Sequence, residues 1–276
     1  MRTTDIPFAV RLTNQEGWSI PARDFRRLLS LDGRGSFVAS EGRRRVGLAT
    51  TTRYDRRIAW IGNVVVNREY RGRHIGQRLV EHAINYLSNA RIRHIALYCF
   101  KENVPFYTKL GFVRGQRFVR LRRASEPLAN PEVASSAKGL SISSLLALDR
   151  RGFGADRGHL ITLLLGEGFA WYLGYRVGSS ASYVLVKSYD DMNEIGPWIS
   201  FGLDSRELDS MLHTVISKSG RKPIEVTSPL TNDNGLNIMK KRGFLTINEG
   251  RIMFFERSAR IGQPRAIIAH GFLDKG

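Results

Sequence analysis

Cysteine is almost absent: among 276 residues the sequence contains only Cys99. An internal disulfide framework and a cysteine-rich metal cluster are therefore excluded, which fits a reducing compartment. Also missing is any apolar run near the roughly 20 residues needed to span a bilayer. The opening MRTTDIPFAV lacks the charged-then-apolar pattern of a signal peptide. The expectation is a cytoplasmic protein. Acidic residues are scarce as well, with 25 Asp+Glu against 43 Lys+Arg and a formal net charge of +18. The deficit is uneven: residues 1–123 hold 25 basic and 9 acidic residues, whereas the remainder hold 18 and 16. Such an asymmetry biases the first half toward an anionic partner, either a nucleic acid or a phosphate-rich cofactor. A 42% hydrophobic content is sufficient for one large domain or two ordinary ones, and excludes disordered and fibrous classes.

What is present reads as a mixed sheet with helices. Residues 6–12 and 36–39 are short apolar runs, and GWSIPARDFRRLLSL between them has helical spacing with Pro21 near a helix start. RRVGLATTT and IAWIGNVVV, β-branched and turn-bounded, predict paired strands around YDRR. A helix from Gly76 to about Ala90 places Leu79, Ala83, Ile84 and Leu87 on one face. The strand HIALYCF, a short helix ending at Gly111 and the strand RFVRLRR complete an α/β or α+β unit.

Residues 124–138, rich in Ala, Ser and Pro, predict a linker. Beyond it the pattern partly repeats: LSISSLLALDRRGFGADRGHLITLLL predicts a helical stretch, followed by strands, a helix near 205–218 and a helix ending in MKKRGF. WIGNVVV at 60–66 aligns with EIGPWIS at 194–200, and YTKLGF at 107–112 with MKKRGF at 239–244. The two glycine landmarks lie 49 residues apart in the first half and 47 in the second. This predicts a duplication, with a first domain at 1–123 and a second at 139–276.

Between VVV and the predicted helix lies NREYRGRHIGQR. A helix N-terminus leaves about four N–H groups without intrahelical partners and carries partial positive charge. Gly72 and Gly76 let backbone approach an anion, and Arg71, Arg73 and Arg78 add charge. Gly62, inside a strand pattern, points to a bulge, a close backbone approach or a simple twist adjustment.

In order and spacing, IAWIGNVVV, Arg71-Gly72-Arg73-His74-Ile75-Gly76 and NVPFYTKLGF resemble the GNAT superfamily of N-acetyltransferases, whose motif is Arg/Gln-x-x-Gly-x-Gly/Ala. His74 replaces the first motif glycine. If this position needs positive φ, the substitution costs about 1–2 kcal/mol against about 8 kcal/mol for micromolar binding. The resemblance covers residues 5–123. LLALDRRGFGADR, IGPWIS and PRAIIAHGF resemble the degenerate C-terminal domain of tandem GNAT proteins. It implies two GNAT-like mixed-sheet domains, the first with a splayed central strand pair, and acetyl-CoA as donor without a metal. The donor pyrophosphate would lie on the backbone of residues Arg71 to Gly76, with Gln77 and Asn103 adjacent. Its pantetheine would run beside Val64, Val65 and Val66. Tyr107 would be the acid that protonates the departing thiolate, although from its apolar neighbours alone it reads as a core residue.

IAWIGNVVV contains no carboxylate, so no general base is named; Asp55, Glu69, Glu102 and His82 are conceivable. Trp18 and Phe25 could line an acceptor pocket or pack in the core. Cys99 reads as buried and inert. In the second half Met239 stands where Tyr107 stands in the first, and no Arg-x-x-Gly-x-Gly follows WISFGLDSREL, so productive acetyl-CoA binding is not expected there. The arginine runs at 43–45 and 120–123 leave a nucleic-acid-binding function as the alternative, against which the aromatic–basic interleaving of a base-stacking surface is missing.

Overall fold

The first apolar run forms a helix, α1 (Ile6–Asn14), because its buried residues Ile6, Ala9, Leu12 and Thr13 recur at helical intervals. With α2 (Ala22–Leu31) it packs over one sheet face against Leu48 and Val65. Our computed structural model describes residues 1–125 and 139–276; most of the expected linker, residues 126–138, lies outside the described residues.

Five strands and two further helices follow: β1 (Ser36–Glu41), β2 (Arg44–Tyr54), β3 (Ile58–Val66), α3 (Ile75–Asn89), β4 (His94–Phe100), α4 (Val104–Lys109) and β5 (Phe112–Arg123). The second half opens with α5 (Ile142–Phe153) and α6 (Gly158–Gly166), where one continuous helical stretch was expected. The break comes at Gly154, whose left-handed backbone ends α5. Then come β6 (Ala170–Val177), β7 (Ser180–Ser188), β8 (Asn193–Phe201), α7 (Ser205–Lys218), β9 (Ile224–Pro229), α8 (Asp233–Lys241), β10 (Leu245–Phe255) and β11 (Ile267–Ala269).

All the strands belong to one sheet, ordered β1-β2-β3-β4-β10-β5-β9-β8-β7-β6, with β11 beside β8. The order is symmetric about the β10–β5 pair. Each half contributes an antiparallel run of three strands, β1-β2-β3 and β6-β7-β8. Each run then meets a parallel partner, β4 and β9 respectively. At the centre the halves exchange one strand each: β10 of the second half pairs with β4, and β5 of the first pairs with β9. This is the duplication expected from the glycine landmarks, but with the two units interleaved.

The seam has its own core. Trp60 stacks on Tyr98 at 4.6 Å and 8° and lies near Phe153 of α5, with Tyr54, Leu145, Tyr183 and Phe272 in the same cluster. Beside it a buried Arg157 holds Asp149 in a fork, Nε to Oδ2 at 3.0 Å and Nη2 to Oδ1 at 2.9 Å, and donates from Nη1 to the Gly276 carbonyl at 2.8 Å. Tyr183 donates its phenol proton to the same carboxylate. The clamp thus ties α5, β7 and the segment after β11 together. Removing one partner of a buried pair leaves an uncompensated charge, so Arg157→Met is expected to cost about 3–5 kcal/mol in denaturant unfolding. Replacing Asp149 and Arg157 together by apolar residues should recover part of that loss; an Arg157→Met chain as stable as the parent would show that the clamp is dispensable.

Candidate active site

β3 and β4 pair only over Ile58–Trp60 and His94–Ala96, and then part. Each keeps its other neighbour, β2 for β3 and β10 for β4, so a cleft opens between residues 61–66 and 97–100. The parting is helped by a bulge. Opposite Leu48 to Thr50, β3 runs from Val65 to Gly62, one residue more than its partner, and Asn63 takes φ +51°. Asn63 Nδ2 bonds Thr50 Oγ1 at 3.0 Å across the irregularity. Beyond it, the Asn67 N–H bonds the Val46 carbonyl. That register turns the N–H and C=O of Val66, and by alternation those of Val64, away from β2 and toward the cleft, while those of Val65 face β2.

At the cleft mouth the chain curls through Arg71–His74 into α3. Gly72 has φ +78°, and His74 sits in the left-handed region at φ +57°, ψ 14°. The motif's departure from glycine is thus accommodated at the strain expected for a non-Gly residue. The N-cap residue His74 makes no side-chain capping bond, and among the described residues no side chain accepts from the first-turn N–H groups of α3. Glu16 accepts from Arg71 Nη2 at 2.6 Å, and the Val66 carbonyl accepts from its Nε at 3.1 Å. Arg73 turns aside to Glu41, at 3.2 Å, and over the Tyr70 ring at 5.2 Å; alone among the expected donor-binding residues it does not line the cleft. His74 Nδ1 lies 3.2 Å from Gln77 Oε1.

The cleft has a volume of about 1190 Å³. Val64, Val66, Gly72, His74, Gly76 and Gln77 line it on one side, Asn103 and Tyr107 on the other. A Cβ placed on Gly76 would lie 3.7 Å from Phe106, so the start of α3 and α4 face each other across it. Tyr107 is half-buried, edge-on to Phe106 at 5.0 Å and to Phe112 at 5.8 Å. Burial, with Cys99 beside it, raises its phenol pKa and keeps the proton on oxygen. Cys99 itself is pushed up to about 12 by burial, then by Glu102, and its Sγ lies 3.3 Å from Met253 Sδ. It is an inert thiol.

Of the four conceivable bases only Glu102 reaches the cleft. Asp55 accepts from the Asp156 N–H at 3.3 Å, His82 packs edge-on to Phe37 at 4.6 Å, and Glu69 sits in the turn capped by Asn67. Trp18 lines the cleft, whereas Phe25 is fully buried with Leu28 and Leu48. The inner end of the cleft is built by residues with no local sequence signal. Asp24 of α2, Lys187 of β7, Glu194 of β8 and the segment Phe272–Lys275 converge there. Lys187 Nζ donates to Glu194 at 2.7 Å and to the Gly271 carbonyl at 2.6 Å, over the Phe272 ring. Asp274 accepts from Lys275 at 2.6 Å and from Asn63 at 3.2 Å. Gly62 permits this approach, because a Cβ there would collide with the Asp274 carbonyl. Burial raises the Asp24 pKa, an effect that nearby Lys275 reduces.

The second half repeats the splay and closes it. β8 and β9 pair over Asn193–Ile195 and Ile224–Val226, and β8 carries the matching bulge between Ile195 and Trp198. Here β11 fills the gap: Ile267 and Ala269 pair with β8, His270 N–H bonds Thr227, and Ser228 Oγ bonds the Ile268 carbonyl at 2.8 Å. The helix that follows, α7, is capped: Asp204 accepts from the N–H groups of Arg206 and Glu207 at 2.9 and 2.8 Å. A carboxylate thus occupies the position that α3 leaves open. Met239 is fully buried.

The basic runs are neutralised only in part. Arg120 and Arg122 pair with Glu225, and Arg45 with Asp5 at 2.6 Å. Among the described residues no His, Cys, Asp and Glu cluster is arranged to hold a metal, and no helix is long and apolar enough to cross a membrane.

Residues 8–112 match the model of the Acetyltransferase (GNAT) family. Over this segment the chain is similar to the GNAT acetyltransferases. It is 24% identical over 265 residues to the uncharacterized N-acetyltransferase YitH of Bacillus subtilis (strain 168), covering 91% of this chain and 89% of that one. A Pyrococcus horikoshii structure assigned as an acetyltransferase superposes with a TM-score of 0.82 at 19% identity, over 100% of this chain and 94% of that one. A GCN5-related N-acetyltransferase structure from Sphaerobacter thermophilus gives 0.70 at 12% identity, over 95% and 96%. At these identities the superpositions establish the fold, including its two-part form.

The segment after β11 also couples the stability of the fold to pH. His270 packs between Tyr98 and Phe118 behind the cleft wall, and burial, then Arg157, pushes its pKa down to about 3 from 6.5. The unfolded chain therefore binds a proton that the native state refuses. Below about pH 6.5 this group is expected to remove up to about 1.4 kcal/mol of stability per pH unit, until its folded-state pKa is reached. Thermal unfolding recorded from pH 7 down to about pH 4 should show this slope, and His270→Leu should flatten it; an unchanged slope in the variant would assign acid sensitivity elsewhere.

Proposed function

We propose that this chain transfers the acetyl group of acetyl-CoA to a primary amine by direct attack in a ternary complex, using the single cleft of its first half. The observation that carries the reading is the contrast between the halves: the splay at β3/β4 opens onto an uncapped helix N-terminus, whereas the splay at β8/β9 is filled and its helix capped. An uncapped N-terminus with two left-handed residues before it is suited to a pyrophosphate, and the cleft-facing amides of Val64 and Val66 to an extended pantetheine arm.

In this reading the amine lone pair attacks the thioester carbonyl, and a β3 amide N–H stabilises the charge developing on its oxygen. The C–S bond then breaks as Tyr107 gives its proton to sulfur. The proton lost from nitrogen passes to a carboxylate at the inner end of the cleft. Asp24 suits this role because burial raises its proton affinity. The second half would contribute the acceptor wall through Lys187, Glu194 and Asp274, with no donor site of its own.

Two substitutions test separate parts. Tyr107→Phe is expected to lower kcat by about 10²–10⁴ with unchanged thermal stability. Gly76→Asp, placing a carboxylate at the α3 N-terminus, should abolish the thermal stabilisation given by acetyl-CoA. Free CoA release across a panel of primary amines identifies the acceptor and supplies the assay. Full activity in both variants would sink this assignment of the site.

A further inference from the structure

A second depression, of about 700 Å³, lies at the opposite end of the same two strands, where β3 and β4 begin. Arg57, Arg93 and His94 reach it from the first half, and Arg150, Arg151 and Arg260 from the second; no carboxylate lines it. Backbone hydrogen bonds fix the first group, with Arg93 N–H on the Arg56 carbonyl at 2.9 Å and His94 N–H on that of Arg57 at 3.1 Å.

The fold accounts for only part of this charge. Arg150 and Arg151 end α5, where cations complement the helix dipole, and Arg57 Nη1 bonds the Gly154 carbonyl at 2.6 Å just beyond it. Among the described residues the sole carboxylate pairing with any of the five arginines is Asp156, 3.8 Å from Arg150 at the exposed rim. Arg93 and Arg260 have neither a carboxylate nor a helix end. Five like charges converging on one concave surface repel one another unless an anion joins them. The field is visible at His94, whose pKa is lowered by burial and then by Arg93, Arg257 and Arg57.

We propose that this depression binds a small anion carrying two or more phosphoryl groups, gripped by guanidinium forks from both halves of the chain. The volume falls in the range of small-ligand sites, and planar guanidinium donors match phosphoryl oxygens pairwise. The site is separate from the acetyl-CoA cleft, and the proposal does not depend on the acyl-transfer reading. A ligand here would bridge the turn before β3, the turn before β4, the end of α5 and the loop after β10, and so brace the seam.

The probe is inorganic tripolyphosphate, titrated into the full chain while the ring signals of its histidines are followed by NMR across pH. Bound phosphoryl groups beside His94 are expected to raise its pKa by about one pH unit, as an opposite charge nearby does. His82, remote from the depression, should stay unmoved. Arg93→Glu combined with Arg260→Glu should remove the response without lowering the melting temperature in the absence of probe, whereas Arg43→Glu, in the turn between β1 and β2, should leave it intact. An unmoved His94, a response that survives in the double variant, or an equal response to citrate at matched ionic strength would overturn the proposal.

Discussion

The reciprocal exchange of β5 and β10 is the constraint on which the remaining structure depends. A strand edge presents unpaired N–H and C=O groups, and β4 finds its second partner only in β10, as β9 does only in β5. Neither half therefore completes its sheet from its own residues. The exchange also places the cleft: held on one side by β10 and released by β3 after three paired residues, β4 forms one wall of an opening whose width is set by strands from both halves.

The two equivalent splays differ in how their backbone polar groups are satisfied. In the first half the bulge at Asn63, the left-handed turn and the uncapped α3 leave polar backbone groups facing the cleft. In the second, β11 supplies strand hydrogen bonds and Asp204 caps α7, so the same backbone groups are satisfied internally. The residues after β11 then run on to the first half, where Asp274 meets Asn63 and Arg157 takes the Gly276 carbonyl. One segment thus closes the second splay and furnishes the inner end of the first. The buried charges at this inner end are tolerable because each has a partner: Lys187 with Glu194, Lys275 with Asp274, Arg27 with Asp24 and Glu167.

Much of the first half could be read directly. Helix α3, strands β2 to β4 and the turn at Arg71–Gly76 carry local signals, namely β-branched runs, a 3.6-residue apolar period and glycines at the turn. His74 was legible as a departure needing positive φ, and φ is indeed +57°. The run at residues 6–12 illustrates the limit of short patterns, since its helix becomes evident only from which side chains the sheet buries. The Gly154 break was present in the sequence but hidden in a stretch whose apolar spacing continues on both sides.

By itself the sequence determined strands β2 to β4, helix α3 and the glycine-containing turn at Arg71–Gly76, because each is encoded within a few tens of consecutive residues. Tertiary structure alone decided that β10 enters the first half's sheet, that β11 closes the second splay, and that Asp24, Lys187, Glu194 and Asp274 share one wall. Those are pairings across about 40 to 250 residues. What selects them is the satisfaction of sheet edges and buried charges, which depends on which surfaces meet and leaves no periodic trace in the chain.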